Sequence, residues 1–186
     1  MPEPQPPDPT WPRYSSRSFP SYRFLPGKNP HPRRDPRGHS YGQPEPRLSA
    51  FRPEEWLKSE DYLYGIDLYN FAYWWECHEV FEALWHEVGP DTEQGNFFQA
   101  LIQLAAANLK YFLGNPAAAH NLFRGGIIRL QNVPPSYQGI DVPRLTEALQ
   151  AHLVSPHLRA PLIGLSQRRE KQEVEQQEAS GRIRNR

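Results

Sequence analysis

The stretch Tyr73-Trp74-Trp75-Glu76-Cys77-His78-Glu79-Val80-Phe81-Glu82-Ala83-Leu84-Trp85 decides how this chain is read. It places three tryptophans, one histidine and three glutamates within fewer than four turns of a helix. On a helical wheel Phe71, Trp75, His78, Glu82 and Trp85 share an arc of about 80°. A histidine and a glutamate one turn apart therefore lie between two indoles, at the edge of the apolar face. A charge buried there without a partner costs several kcal/mol, so the stripe marks a candidate site.

The surrounding sequence is helical. Gly89-Pro90 ends the stripe helix, and Thr92 or Asp91 can cap the next, which carries Phe97, Phe98, Leu101, Ile102, Leu104, Ala105, Leu109 and Phe112 on one arc. Gly114 closes that helix, with Asn115 as cap and Pro116 as first residue of another. Gly125-Gly126 weakens its middle by about 1 kcal/mol per glycine relative to alanine. Upstream, Pro53-Glu54-Glu55 starts a helix expected to run to about Tyr69, with Gly65 at a close helix crossing and a turn at Asn70-Phe71-Ala72. A short helix from Val142 to about Leu153 follows the Pro134-Pro135 linker, and no strand pattern competes. The reading is an all-α, antiparallel helical bundle of about five helices, with tetratricopeptide-like helix pairs and an extended Pro-rich N-terminal arm.

Proline separates arm from bundle. Of 21 prolines, 13 fall in residues 1–47 and 8 in the rest. Residues 1–47 are read as a partly disordered arm, 48–165 as the bundle and 166–186 as a charged tail. Residues 21–42 mix Tyr22, Phe24, Leu25 and Tyr41 with His31, His39, Arg33, Arg34 and Arg37. They form either a flexible basic tail or an arm that docks its aromatics on the bundle. The chain carries 21 basic and 21 acidic residues, so no net field draws nucleic acid, and that partner is disfavoured. No signal peptide or membrane-length apolar run is seen, and the single Cys77 suits a reducing cytoplasm. Cys77 itself reads as inert core.

At the stripe, His78 and Glu82 at i,i+4 can hydrogen-bond. They are a buried pair fixing helix register, or two ligands of a divalent metal such as zinc or iron, or a base with its orienting carboxylate. His78-Glu79-Val80-Phe81-Glu82 differs from the zincin helix by Glu in place of the second His, which puts Glu79 where a general base stands. Zinc wants at least three protein ligands. Further ligands would come from His31 and His39 if the arm docks, or from His120 or Gln103 on a neighbouring helix. Trp75 and Trp85 line the site, His86 faces solvent, and Glu76, Glu79 and Glu87 fall on a polar arc of the kind that is usually solvated. Asn108, mid-arc on an apolar face, is a second buried polar group needing partners.

Tyr73-Trp74-Trp75-Glu76, His78-Glu79, Glu82, Leu84-Trp85, then Phe98-Gln99, Leu101 to Ala106 and Gly114-Asn115 together resemble the bacterial and archaeal family called Domain of Unknown Function 309. Its hallmark is His, three residues, Glu, two residues, then Trp or Tyr, here His78, Glu82 and Trp85. The resemblance spans roughly residues 59–132 and implies an all-helical fold and a metal-binding hallmark, without naming a reaction. Three function classes follow. One is an interaction module binding a protein or small-molecule ligand. Another is a metal-dependent or acid–base, hydrolase-like enzyme using His78 and Glu82. The last is a structural, self-associating bundle.

Overall fold

The computed structural model describes residues 3–44, 47–155 and 160–166. The charged tail expected from 166 lies, beyond that residue, outside them. A 3-10 turn, Pro53–Lys58, leads into α1 (Glu60–Asn70), α2 (Trp74–Val88), α3 (Glu93–Phe112) and α4 (Pro116–Leu130). A minimal hairpin of β1 (Ser136–Tyr137) and β2 (Ile140–Asp141) follows, then α5 (Val142–Val154). The fold is an all-α bundle of packed antiparallel helices.

Caps set most boundaries. Thr92 accepts from the Gly95 N–H, Asn115 from Ala118 and Asp141 from Arg144, each satisfying an amide that the first helical turn leaves unpaired. Gly89 leaves α2 at φ 85°, a conformation glycine adopts without steric cost. Two expectations are corrected. The helix expected to run unbroken from Pro53 is interrupted at Ser59, whose hydroxyl accepts from the Tyr62 N–H and starts α1 afresh ahead of Glu60 and Asp61. The Pro134-Pro135 linker runs into a hairpin, because Gln138 (φ 46°) and Gly139 (φ 78°) form the left-handed two-residue turn that joins antiparallel strands. A run of two residues per strand is too short to leave a periodicity.

The core is aromatic. Tyr62, Phe81, Phe97 and Phe98 are fully buried and stack with centroids 5.7 to 6.3 Å apart. Tyr62 also donates to the Gln138 carbonyl, which ties the hairpin to α1. Glycines set how closely helices approach. A Cβ at Gly65 would stand 2.7 Å from the Phe81 ring, and one at Gly126 would stand 2.9 Å from Leu104. The Gly125-Gly126 pair thus weakens α4 locally and lets it lie against α3. No helix among the described residues is long and apolar enough to cross a membrane.

The arm packs on α1 and α2. Asp67, wholly buried on α1, accepts from the backbone N–H of Tyr14 (2.8 Å) and Ser15 (2.9 Å) and from Arg13 Nε (3.0 Å). Burial pushes the Asp67 carboxyl up, and the three donors oppose that rise. Phe19 stacks on Tyr73 at 4.7 Å, and Phe24 and Leu25 are buried. At the other end of the chain, Asn70 clamps Ile163 with a reciprocal pair of hydrogen bonds, 2.9 Å and 2.8 Å.

Two substitutions test this packing. Gly65→Ala gains helix propensity and overpacks Phe81, for a net loss of about 1–2 kcal/mol in urea unfolding. Asp67→Asn turns an amide donor toward Arg13 and the arm amides and should cost about 1–3 kcal/mol. Tryptic cleavage after Arg13 and Arg17 should then run faster than in the wild type. An unchanged cleavage rate would mean that Asp67 does not hold the arm.

Candidate functional site under the arm

Cys77, Phe81 and Leu84 take the core face of α2, each fully buried. That places Trp75, His78, Glu82 and Trp85 on its flank, half-buried. The stripe therefore borders the core without pointing into it. Phe71 is not on the stripe, because α2 begins at Trp74 and Phe71 caps α1, packed on Phe19.

His78 has no hydrogen bond to Glu82. Its Nδ1 lies 3.5 Å from Glu79 Oε1, an ion-pair distance, and is buried without a hydrogen-bond partner. His78 holds the Glu79 carboxyl below the usual carboxylate range, with a smaller contribution from the Arg33 charge, against the opposing effect of burial. Glu79, exposed at its outer edge, lies where it can share a ligand with its neighbours. One ligand atom each from His78, Glu79 and Glu82 falls within 4.8 Å of the others.

Glu76 is the largest departure from the sequence reading. The wheel puts it on the solvated arc, yet only 8% of its side chain is exposed. The arm covers it. Glu76 Oε1 accepts from the Phe24 N–H at 2.9 Å and faces His39 Nε2 at 3.1 Å, while Oε2 is buried with no hydrogen-bond partner. On its other side His39 Nδ1 meets the Ser40 hydroxyl at 2.8 Å. An imidazole facing a carboxylate through Nε2 carries its proton there, so Nδ1 accepts from Ser40.

Both arm histidines thus reach the stripe, as the docked-arm alternative expects, but neither has a free lone pair. His39 uses both ring nitrogens. His31 Nδ1 accepts from the Arg33 N–H at 3.2 Å, which leaves the proton of a neutral ring on Nε2, and the ring packs against Phe24 and Trp75. As metal ligands they would first have to break these bonds. Arm, α1 and α2 border an open cavity of about 470 Å³, lined in part by Arg33, His39, Ser40, Glu76, Glu79 and Glu82.

The remaining candidates sit elsewhere. Gln103 lies between α3 and α4 against Gly125, and His120 is exposed on α4. Asn108 is buried near Tyr69 of α1, whose hydroxyl is pushed up by burial. Neither that hydroxyl nor Asn108 Nδ2 completes a hydrogen bond. Trp85 Nε1 is likewise buried without a partner, and its ring lies 4.9 Å from that of the exposed His86. Spacing alone missed Glu76, Ser40 and Asp67. Asp67 did leave a signal, as a lone acid inside the apolar run Gly65-Ile66-Asp67-Leu68-Tyr69.

Cys77 is core, as its sequence neighbours suggested. Burial pushes its thiol well above the usual range. It should resist a thiol reagent such as 5,5′-dithiobis(2-nitrobenzoate) in the native protein and react at once in denaturant; fast native reaction would contradict its placement.

A search of curated proteins finds no match to the chain. Residues 62–122, from α1 into α4, contain the whole stripe and none of the arm. They match the model of the family described as domain of unknown function (DUF309), and it is this family that the chain resembles.

Proposed function

We propose that the protein binds a divalent metal ion, of the zinc or iron class, through His78, Glu79 and Glu82, and serves hydrolytic chemistry in the adjoining cavity. The observation that carries this reading is the cluster itself, one ligand atom each from His78, Glu79 and Glu82 within 4.8 Å of the others, beside a His78 Nδ1 that is buried without a hydrogen-bond partner. A buried nitrogen left without a partner is costly, and a bound cation would satisfy it while offsetting the repulsion of two adjacent acids. Ligand atoms in a tetrahedral zinc site stand about 3.4 Å apart, a contraction that small side-chain rotations would supply. Three protein ligands leave a position open for water, as catalytic zinc sites do. Such an ion brings the pKa of its bound water toward neutrality. The set holds no thiolate and a single imidazole, whereas closed structural sites draw four ligands from Cys and His, which favours the open, catalytic kind.

Isothermal titration of the purified, untagged protein with zinc tests the assignment. One equivalent should bind, and His78→Ala or Glu82→Gln should weaken it at least about 100-fold. The melting temperature of the metal-free protein should hardly change, because neither side chain fills the core. Variants that bind zinc as the wild type does would refute the site.

A second reading, the interaction module, draws on a different face. Trp11, Ile140, Leu145, Ala148, Pro161 and Leu162 border an apolar groove of about 400 Å³ away from the stripe. An apolar peptide or a second copy of the chain would fit it. Equilibrium sedimentation tests the second form: a dimer dispersed by Leu145→Asp supports it, and a monomer at every concentration rules it out.

A further inference from the structure

We propose that Ser40, His39 and Glu76 form a nucleophilic acyl-transfer site for small carboxylic esters, independent of the metal cluster on α2. The three side chains border the same cavity and are linked in order, Ser40 Oγ to His39 Nδ1 at 2.8 Å and His39 Nε2 to Glu76 Oε1 at 3.1 Å. The geometry gives each part its place. Glu76 Oε1 accepts the Phe24 N–H and faces His39 Nε2, which anchors the carboxyl against the ring. It fixes the tautomer of His39, so that Nδ1 is the basic nitrogen and holds the hydroxyl it would deprotonate. The imidazole side chain is only 9% exposed, which shields the relay from water.

The loop is built to hold this arrangement. The His39 backbone N–H donates to the Tyr22 hydroxyl, which in turn donates to the Pro30 carbonyl, and the Ser40 N–H donates to the Pro32 carbonyl. Gly38 permits the turn, since a Cβ there would lie 2.2 Å from the Pro32 carbonyl oxygen. Arg33 borders the cavity; its guanidinium donates to the carbonyls of Gln43 and Pro44 and forms no salt bridge among the described residues. Its charge is available to an ester carbonyl oxygen as that oxygen becomes negative. Leu48, Leu68 and Val80 provide an apolar wall, and a cavity of about 470 Å³ favours compact acyl groups.

In the reaction, Ser40 Oγ attacks the ester carbonyl carbon as its proton passes to His39 Nδ1. The tetrahedral adduct breaks its bond to the leaving alcohol, which departs with that proton. Water, deprotonated by the same nitrogen, then attacks the acyl-serine, and Ser40 recovers its proton as the carboxylic acid is released. Glu76 is a positioning residue throughout.

The test uses full-length protein in excess chelator, so that failure of the metal reading does not affect the result. A fluorophosphonate probe should label the wild type on Ser40, located by peptide mass spectrometry. Hydrolysis of 4-nitrophenyl acetate should fall at least about 100-fold in Ser40→Ala. That variant loses one hydroxyl and keeps the bonds from Phe24 and His39 to Glu76, so the arm remains docked. A wild type that takes no label on Ser40, or Ser40→Ala turning over the ester as fast as the wild type, would overturn the proposal.

Discussion

One buried carboxylate organises the functional face of this protein. Glu76 projects from α2 into a space that would be solvent if the bundle stood alone, and the arm closes over it. The carboxylate receives the Phe24 amide and the His39 imidazole, and in doing so converts a Pro-rich segment into the wall of a cavity. A carboxyl taken out of water there needs partners, and these two contacts supply them at Oε1. The same contact brings Arg33, His31 and Ser40 to the flank of the helix that carries His78, Glu79 and Glu82. Without it the stripe would be a row of half-exposed side chains on a bundle.

The arm is held at a second buried acid as well. Asp67 gathers the Tyr14 and Ser15 amides and Arg13 at one end, and Glu76 gathers Phe24 and His39 at the other. Between them Phe19 lies stacked on Tyr73. Two acids of neighbouring helices thus serve as acceptors for the amides of a segment whose prolines prevent it from pairing its own backbone.

Residues with local jobs were legible in the sequence. Gly89-Pro90, Thr92 and Asn115-Pro116 announce helix ends through their own geometry, and Gly65 announces a close approach through its missing Cβ. Ser59 was overlooked because Pro53 already supplied a plausible start. The site was legible only in part. A helical wheel sees one element, so it located His78, Glu82, Trp75 and Trp85 on a shared flank and placed Glu76 in water. His39 and Glu76 are separated by 37 positions. No periodicity connects an irregular arm to a helix, and only the folded chain reveals which acid the arm covers. The expected His78–Glu82 bond is not formed; His78 Nδ1 lies 3.5 Å from Glu79, the adjacent acid, which the i,i+4 rule does not weigh.

The family match covers α1 to α4 and leaves the arm outside it. The metal-ligand cluster lies within the matched region, whereas His39 and Ser40 do not. If the arm is an integral wall of the site, the Phe24 amide, bonded to a buried carboxylate, must be as protected as the core of α2. Hydrogen exchange of the intact protein, read at single-amide resolution by NMR, measures this directly. The account predicts that the Phe24 amide exchanges as slowly as that of Phe81. Exchange at the rate of an unprotected loop amide would contradict it.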